Sequence, residues 1–573
     1  MRGVWHSHAE PARKNPYLDL AAGGLLLFGI LARVVGFFQN ASLIGDEAML
    51  ALNIGHRSFT QLLQPLDYAQ VATVPFLWAE RLAAEVGGVS AYSLRFVPLL
   101  AGVGMLYALY RLTDKLLGRV VAVVALALAA TAFPLIRYSV EVKPYIVDSL
   151  ASVLLIWVAL RLTENLSDLR GWAALAVGGV IGVLVSTPAL LVCIASAGAL
   201  AIAALRSRRL NLLPWLALLG VLWGCVFAAA YITWYSPVAG SQYMRHYWAP
   251  AILQPGTPQF WDRLWGAVSE SACTLTCWRG ILDLTPGLLL LTFIGTAHIW
   301  RQRGPESAAL LAGPLAAAFS ASALGRYPIA TRLVLFAAPL LCIMVAAGVV
   351  SVASQVECRW PRIRARWVLF LFLYPSFIVA ATLTFVPPAD WGVRSVEVRA
   401  LAEDFRVHGG GEPIYVFARS VPTWVFHTTD WAAPDSSRLT FAARTAGPEG
   451  LGFVNASTRG RRIRGEGEHL VYRYRGGIEL YGTPTGSQAR AMIGHYPRLA
   501  DPGWAESEAW RIQEAAKPFI WILMSDFTHA GADEHQILME SVKKAGGTAV
   551  YRKPAANAVL YRIKFQAGAL RSK

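Results

Sequence analysis

The amino-acid sequence predicts a polytopic α-helical membrane protein that ends in a smaller α/β domain. Of the 573 residues, 55% are hydrophobic and only 15% are charged, and the mean hydropathy is +0.43. A soluble globular protein of this size is much less apolar. About eleven apolar runs approach the roughly 20 residues that a membrane-spanning helix needs. After Pro387 and Pro388, the composition changes to that of a soluble domain.

The apolar runs all lie before residue 387. Their bounds are 18–38, 93–112, 120–136, 145–162, 171–185, 188–205, 212–234, 282–300, 307–325, 330–352 and 367–386. The first run follows a polar, basic segment, and no small-residue cleavage site comes after it. It therefore predicts a retained first helix rather than a signal peptide.

Basic residues lie in alternate connections between these runs. They are Arg2, Arg13, Lys14, Arg111, Lys115, Arg119, Arg161, Arg170, Arg206, Arg208, Arg209, Arg301, Arg303, Arg359, Arg362, Arg364 and Arg366. Short cytoplasmic loops carry an excess of Lys and Arg, so these connections are predicted to be cytoplasmic. With eleven spans, the N-terminus is then cytoplasmic and the C-terminus extracytoplasmic. The same distribution explains the net charge of +16 without nucleic acid as a partner.

Two outward loops are too long to be simple turns. In residues 39–91, the stretches 46–63 and 73–86 are amphipathic, and a proline-containing break separates them. They predict two helices that lie in the membrane interface. Residues 235–280 are rich in Trp, Tyr and Pro. Such rings either form an interfacial belt or stack on sugars, and the sequence leaves both roles open.

The last part of the chain alternates strand-like and helical patterns. The strand-like runs lie at 413–418, 519–525, 548–552 and 558–563, and the helical patterns lie at 394–407 and 534–544. Strands that alternate with helices indicate an α/β domain. The chain is therefore predicted to consist of a transmembrane domain, 1–386, and an extracytoplasmic α/β domain, 387–573. The second domain contains no G-x-G-x-x-G motif and no P-loop, so no nucleotide site is predicted.

Two further features leave alternatives open. The basic segment 459–464 is either a solvated loop or an anion site. Cys273 and Cys277 share an outward loop and either form a disulfide or stay reduced. A zinc site there would need two more ligands, and His246 is the single histidine of that loop, so no zinc site is expected.

Ionisable residues cluster at the outward ends of three spans, where such residues are costly and point to function. The members are Asp46 and Glu47 after the first span, Arg137, Glu141, Lys143, Tyr145 and Asp148 around a later turn, and Arg326, Tyr327 and Arg332 around the start of the tenth span. The orientation rule does not favour outward cations, so they need another explanation. A lipid phosphate supplies one, because Lys and Arg bind phosphate through charge-assisted hydrogen bonds. The alternative is that the charges pair with one another, for example Arg137 with Glu141.

A carboxylate beside such cations suits glycosyl transfer. Asp46 would take a proton from an acceptor hydroxyl as general base, while the cations stabilise a departing phosphate. Paired carboxylates also occur in glycosidases, but those sites need no polytopic membrane body. A structural alternative for Asp46 is the N-cap of the helix that follows it. Glu80 is either a further site carboxylate or a surface residue next to Arg81.

A set of motifs in the membrane part resembles a known superfamily. The motifs are Gly45-Asp46-Glu47-Ala48, the stretch from Ser93 through Arg95 to Pro98, Arg137-Tyr138 with Glu141 through Lys143 to Tyr145, Ser186-Thr187-Pro188, and Arg326-Tyr327-Pro328 with Arg332. In this order and on this side of the membrane, they resemble the bacterial GT-C glycosyltransferases. The chain looks like the branch that holds protein O-mannosyltransferases and the lipid A aminoarabinose transferase, and the resemblance covers residues 18–386.

The resemblance implies an inverting glycosyltransferase of the bacterial cytoplasmic membrane. The enzyme would move a sugar from a polyprenyl-phosphate donor to a lipid, glycan or protein acceptor on the outer face. Asp46 would be the catalytic base, with Glu47 beside it. Substrate or phosphate binding would fall to Arg137, Glu141, Lys143, Tyr145, Arg326, Tyr327 and Arg332. No cofactor is assigned; members of the superfamily differ in whether they need a divalent metal, so a metal stays open, without named ligands.

Two other functions are alternatives. A transporter or flippase of lipid-linked saccharides would also place cations and aromatic rings in a membrane cavity. Transporters commonly contain repeats or matching broken spans, and the sequence shows no such pairing. A non-catalytic assembly subunit of the same fold would have lost the Asp46 environment, and Asp46 is present.

Overall fold

The computed structural model describes residues 16–566, apart from residues 44, 276–283, 386–396, 430, 432–460, 465–469, 474–478, 481–490, 495–502, 517, 526–527 and 530–531. Cys277 lies outside the described residues, so the disulfide with Cys273 stays a prediction. The segment that joins the two predicted domains also lies outside them, and the domain division stays a prediction as well.

The membrane part is helical throughout. Its helices are α1 (Pro16–Gln39), α2 (Gly45–His56), α3 (Val74–Gly87), α4 (Ala91–Leu117), α5 (Arg119–Thr131), α6 (Phe133–Arg137), α7 (Tyr145–Glu164), α8 (Leu169–Val185), α9 (Ala189–Arg206), α10 (Leu213–Ala230), α11 (Ser236–Ala239), α12 (Gln242–Trp248), α13 (Phe260–Ala272), α14 (Thr285–Arg303), α15 (Pro305–Ala323), α16 (Ala338–Arg359) and α17 (Ala365–Phe385). A π-helical stretch, Tyr231–Tyr235, joins α10 to α11.

Each of the eleven apolar runs overlaps one of these helices, or two consecutive ones, over most of its described residues. Among the described residues, seven helices are long and apolar enough to cross a membrane, and an eighth span results if the bent pair formed by α5 and the segment after it counts as one. The pair is bent by 65° at Ala132. The structure therefore supports a multi-pass helical body, and the number eleven stays a prediction.

Small residues let helices of this body approach closely. Gly295 on α14 faces Gly348 on α16, and a Cβ atom built on Gly295 would lie 1.8 Å from the carbonyl oxygen of Met344. A Cβ atom on Gly348 would lie 2.1 Å from the carbonyl oxygen of Leu291. Because lipid tails are as apolar as the side chains, such close backbone packing is a main source of helix association in membranes.

The first outward loop differs in part from the sequence prediction. The helix at 73–86 is present as α3, but α2 ends at His56 instead of continuing to residue 63. Arg57 ends it by donating hydrogen bonds to the carbonyl oxygens of Gln61, Gln64 and Pro65. Most side chains of α2 are buried, so it is not the exposed interfacial helix that its amphipathic pattern predicted.

The C-terminal part is an α/β structure, as predicted. Its helices are α18 (Val398–His408), α19 (Val421–Thr428), α20 (Trp504–Ala515) and α21 (Glu534–Lys544), and its strands are β1 (Ile414–Val416), β2 (Arg461–Arg464), β3 (Leu470–Arg473), β4 (Glu479–Leu480), β5 (Ala491–Ile493), β6 (Phe519–Ser525), β7 (Thr528–His529), β8 (Ala532–Asp533), β9 (Gly547–Ala555) and β10 (Ala558–Phe565). The main sheet has the order β5-β1-β6-β10-β9. Its β1 is parallel to β5 and β6, whereas β10 is antiparallel to β6 and β9. The basic segment near 459–464 is strand β2 over its described residues.

The C-terminal part packs directly on the first outward loop. One hydrophobic cluster combines buried residues of α2 and α3, such as Leu50 and Phe76, with residues of α18, α19 and the main sheet, such as Phe405, Trp424 and Leu523. This shared core explains why α2 is buried. It also brings the C-terminal domain to the same end of the helical body as Asp46.

Candidate active site

Asp46 lies between two cations from distant parts of the chain. Its Oδ2 atom is 2.9 Å from Nη1 of Arg332 and 3.6 Å from Nζ of Lys143. The Asp46 side chain keeps 34% of its surface exposed, whereas that of Lys143 keeps 6%. Because α2 begins at Gly45, Asp46 belongs to its first turn, and its carboxylate is turned to the cations rather than placed as an N-cap. The three residues form what we call the Asp46 cluster.

Neighbouring polar groups fix the two cations. Nζ of Lys143 donates a hydrogen bond of 2.7 Å to Oε1 of Gln70, in the loop between α2 and α3. Nη2 of Arg332 donates to the hydroxyl of Tyr247 at 3.2 Å, and its guanidinium lies over the ring of Trp248, 5.1 Å from the centroid. At least these two rings of the aromatic outward loop therefore belong to the surroundings of the cluster.

The pKa of Asp46 follows from this geometry. Burial raises the pKa of the carboxyl, but attraction to Lys143 and then to Arg332 outweighs it, so the pKa lies below its usual value. Burial, helped by repulsion from Arg332, lowers the pKa of Lys143 in spite of its attraction to Asp46. In this arrangement Asp46 is held ionised and is a weak base.

Glu47 does not join the cluster. Its side chain is fully buried and accepts hydrogen bonds from Nε and Nη2 of Arg95 at 2.9 and 3.0 Å. The backbone N–H of Val142 donates to the same carboxylate at 2.9 Å. Adjacent residues of a helix point in directions about 100° apart, so Glu47 faces the core while Asp46 faces the cations. Glu47 therefore ties α2 to α4 and to the turn that carries Lys143.

Arg137 and Glu141 form a pair next to the cluster. Nε of Arg137 lies 3.3 Å from Oε2 of Glu141, as the pairing alternative predicted. Burial, opposed by the attraction of Arg137, raises the pKa of Glu141 to about 7. Arg137 also contributes to the low pKa of Asp46, after Lys143 and Arg332. Tyr145 packs edge-on against Tyr138, with 5.2 Å between the ring centroids.

Two of the predicted site residues, Tyr327 and Arg326, are not members of the Asp46 cluster. The hydroxyl of Tyr327 donates a hydrogen bond of 2.6 Å to the carbonyl oxygen of Leu333, so it fixes the segment that carries Arg332. Arg326 is exposed, and no ion pair joins it to Asp46 within the described part of the chain. The structure thus brings together Asp46, Lys143 and Arg332, and leaves Arg326 outside.

A family comparison matches part of the membrane body. Residues 73–234 match the model of the dolichyl-phosphate-mannose-protein mannosyltransferase family. The predicted resemblance to GT-C membrane glycosyltransferases is confirmed. The matched segment contains Arg95, Arg137 and Lys143, whereas Asp46 and Arg332 lie outside it. No curated protein sequence matches the chain.

Solved structures of low identity are also similar to the chain. ArnT from Cupriavidus metallidurans in the apo state has 12% identity and a TM-score of 0.47, with 95% of this chain and 98% of ArnT covered. The oligosaccharyltransferase AglB from Archaeoglobus fulgidus, in complex with an inhibitory peptide and a dolichol-phosphate, has 14% identity and a TM-score of 0.44, with 71% and 63% covered. At these identities and TM-scores, the likeness says nothing about the chemistry of this chain.

The described residues contain no ready-made metal site, and the use of a divalent metal stays an open prediction. Among the described residues, no group of three or more His, Cys, Asp or Glu side chains could hold a metal ion. Asp46 already pairs with two cations, and Glu47 is engaged with Arg95. Mg²⁺ usually binds through one or two carboxylates together with substrate phosphates, so a metal that binds with the donor stays a prediction.

Glu80 is a buried carboxyl, so the surface alternative that the sequence offered for it is wrong. It lies on the face of α3 that also buries Phe76, Leu77 and Ala84. Neither of its carboxyl oxygens has a hydrogen-bond partner among the described residues. Burial, and then repulsion from Glu47, raises the pKa of Glu80 well above its usual value. Its neighbour Arg81 pairs with Glu85 instead, at 3.2 Å.

The C-terminal domain holds the segment just before Asp46, which sequence reasoning missed. Oγ1 of Thr423 donates to the carbonyl oxygen of Leu43 at 2.9 Å, and the N–H of Leu43 points to Nε2 of His427 at 3.4 Å. Burial, with repulsion from Arg399 and Arg95, lowers the pKa of His427 to about 3, so the neutral ring can accept. Arg399 donates to the carbonyl oxygen of Asn40 at 2.9 Å. No local signal indicates these contacts, because the partners are more than 350 positions apart.

Proposed function

We propose that the chain is an inverting membrane glycosyltransferase that moves a sugar from a polyprenyl-phosphate donor to a lipid, glycan or protein hydroxyl. The observation that carries the proposal is the placement of the Asp46 carboxylate against Lys143 and Arg332, next to the turn before α7. The matched family is named for transfer from dolichyl-phosphate mannose, a lipid-phosphate donor of the same class. The residues supply a base with two phosphate-binding cations, which lie 3.6 Å and 2.9 Å from it.

In this mechanism, Asp46 takes the proton of the acceptor hydroxyl as the oxygen attacks the anomeric carbon. The bond between that carbon and the phosphate oxygen breaks, and the polyprenyl phosphate leaves with the electron pair. Lys143 and Arg332 stabilise the charge that develops on the leaving phosphate. Attack on the face opposite the phosphate inverts the anomeric configuration.

Donor binding prepares the base in this proposal. Without donor, Asp46 is a weak base because Lys143 and Arg332 lower its pKa. A lipid phosphate attracts the same two cations, so their pull on Asp46 decreases and its pKa rises. A general base works best when its pKa is near the working pH. Proton transfer is thereby linked to the presence of donor.

We place the site on the outer face of the cytoplasmic membrane. The alternation of Lys and Arg puts the N-terminus inside and residues 387–573 outside. The contact of α19 with the segment before Asp46 requires that the C-terminal domain and the site share one side of the membrane, which agrees with an odd number of spans. A C-terminal alkaline phosphatase fusion should be active; an inactive fusion, with fluorescence from a matched fluorescent-protein fusion, would contradict the placement.

The function is tested with purified full-length protein and a panel of polyprenyl-phosphate sugars, with membrane extract as the source of acceptor. Release of free polyprenyl phosphate should depend on one sugar of the panel. The matched control is Asp46→Asn, which keeps the side-chain shape but cannot take the proton and should lower turnover about 100-fold or more. Equal release by both proteins would contradict the proposed mechanism.

A further inference from the structure

Lys143 has a neutral partner besides Asp46. Its Nζ atom lies 2.7 Å from Oε1 of Gln70 and 3.6 Å from Oδ2 of Asp46, so the contact with the amide is the shorter one. Lysine only donates hydrogen bonds, and the amide oxygen of Gln70 therefore faces it. The amide nitrogen of Gln70 donates to the carbonyl oxygen of Tyr68 at 3.3 Å and to Sδ of Met49 at 3.6 Å. The amide is thus fixed at both of its ends.

The loop that carries Gln70 is tied to α2. Asn53 of α2 is 3% exposed; it accepts a hydrogen bond from the N–H of Asp67 at 2.9 Å and donates one to the carbonyl oxygen of Asp67 at 3.3 Å. The N–H of Gln70 donates to the same carbonyl oxygen at 3.3 Å, which closes a four-residue turn. Because α2 also carries Asp46, one helix supports both the carboxylate and the amide that contact Lys143.

The turn that ends at Gln70 has an unusual backbone. Its two central residues, Tyr68 and Ala69, have φ angles of 61° and 51°. Positive φ is uncommon for residues other than glycine, and turns with two such residues are normally built from Gly, Asn or Asp. Strained positions of this kind persist only where the surrounding structure holds them, and they concentrate at functional sites. An ordinary connection between two helices does not need this conformation, so the turn points to a function for Gln70.

The neutrality of Gln70 suits a phosphate site. Lys143 is 5% exposed, and a buried ammonium group needs hydrogen-bond acceptors. A carboxylate in place of the amide would supply one, but it would also compete with a phosphate for the positive charge. The amide oxygen accepts from one of the three N–H groups of Lys143 without adding a negative charge. Lys143 is therefore held in place and keeps its attraction for an incoming anion.

We propose that Gln70 is a positioning residue, which orients Nζ of Lys143 for the phosphate of the lipid donor and leaves the charge of Lys143 available. The inference rests on the proposed function, in which Lys143 binds that phosphate. It makes a distinctive demand on charge. A merely structural hydrogen bond would tolerate Gln70→Glu, because a carboxylate is at least as good an acceptor for an ammonium group. The proposed role would not tolerate it.

The test measures the binding of undecaprenyl phosphate to the purified full-length protein, together with thermal melting in detergent. Gln70→Glu keeps the shape of the side chain and an acceptor for Lys143 but adds a charge. Gln70→Ala removes the contact altogether. The matched control is Gln64→Glu, which adds the same charge at an exposed position of the same loop.

We expect Gln70→Glu to melt like the wild type and to lose about 10- to 100-fold in affinity for undecaprenyl phosphate. Gln70→Ala should lose about threefold to tenfold, since Lys143 then keeps its charge but loses its orientation. Gln64→Glu should bind normally. Normal binding by Gln70→Glu would show that the hydrogen bond is only structural, and an equal loss in Gln64→Glu would show a general effect of charge; either result overturns the inference.

Two further results separate this inference from its basis. If Gln70→Glu does not fold, Gln70→Ala decides the matter, and normal affinity in that variant overturns the inference. If the wild type binds undecaprenyl phosphate and Lys143→Ala weakens the binding, but neither variant of Gln70 does, this inference fails and the phosphate site stands. If the wild type does not bind undecaprenyl phosphate, the proposed function fails as well.

Discussion

Arg332 donates a hydrogen bond of 2.9 Å to Asp46, although the two residues are 286 positions apart. The bond connects the first turn of α2 to the segment before α16, and Lys143 approaches the same carboxylate oxygen from the turn before α7. The three side chains therefore form an internal ion cluster, and the lipid phosphate of the proposed function would enter it by exchange with Asp46. Its energetics depend on how the charges are redistributed when an anion binds.

The pH dependence of turnover should report this redistribution. The pKa of Asp46 lies below its usual 3.8 in the free protein, so the acid limb of kcat/KM should lie below about pH 4. With donor bound, the phosphate draws Lys143 and Arg332 away from Asp46, and the acid limb of kcat should move to higher pH. Steady-state rates measured up to pH 9 should show kcat/KM level down to about pH 4 and kcat decreasing already at a higher pH. If both profiles instead show a limb near pH 7, and the limb is absent in Glu141→Gln, the titrating group is Glu141, whose pKa is about 7.

Lys143→Ala should weaken donor binding more than stability. Removing a charge-assisted contact to phosphate is expected to lower the affinity for polyprenyl phosphate about 10- to 100-fold. Lys115→Ala, which breaks an exposed pair with Glu164 elsewhere on the body, serves as the control and should bind normally. A Lys143→Ala protein that melts early yet binds donor normally would show that the contact of Lys143 with Gln70 is its main role.

Glu47→Gln should destabilise the protein, because it leaves Arg95 buried without its charge partner. Breaking a buried ion pair on one side costs about 3–5 kcal/mol. Arg95→Met combined with Glu47→Met replaces both charges by apolar groups and should recover much of that loss. Thermal melting in detergent measures the three proteins. If Glu47→Gln melts like the wild type but has lost turnover, Glu47 would be part of the chemistry and not only of the scaffold.

Glu80→Gln should stabilise the protein at neutral and alkaline pH. The folded-state pKa of Glu80 is raised, so the folded protein retains a proton that the unfolded chain loses above its usual pKa of 4.5. Stability therefore decreases as pH rises above that value, and the amide removes this dependence. The gain should be about 1–3 kcal/mol at pH 8 and smaller at pH 5. The exposed Glu85→Gln is the control in the melting curves, and equal gains at the two pH values would contradict the assignment.

The sequence predicted the helical body well because long apolar runs leave few alternatives in a membrane. It also grouped Asp46, Lys143 and Arg332, because it predicted the same side of the membrane for all three. It named Asp46 as the base, but it did not find the partner of Glu47, because only the folded helix shows that one carboxylate faces the cations and the other faces Arg95. The burial of α2 was not predictable either. Its polar-apolar pattern fits a membrane interface as well as it fits a protein partner, and that partner lies more than 350 positions later in the chain.

The C-terminal part of the chain therefore has a direct bearing on the position of Asp46. Leu43 lies three residues before Asp46, and its backbone is fixed on both sides by α19, through Thr423 and His427. Ser42, next to Leu43, interacts with Glu397 and Arg399 at the start of α18. The turn that aims Asp46 at the cations is thus held from outside the helical body. A substitution in α19 should therefore change the orientation of the Asp46 side chain and leave Lys143 and Arg332 in place.

Thr423→Val tests this relationship, because it removes the hydrogen bond to Leu43 and keeps the shape of the side chain. Loss of one such bond costs about 1 kcal/mol, so we expect kcat to fall roughly threefold to tenfold. Donor affinity should stay unchanged, since Lys143 and Arg332 keep their positions. Thr423→Ser retains the hydroxyl and should restore kcat, which separates positioning from general destabilisation. Two results together would contradict this relationship: donor affinity and thermal stability fall together with kcat in Thr423→Val, and Thr423→Ser does not recover kcat. The C-terminal domain would then stabilise the fold as a whole and would not specifically orient Asp46.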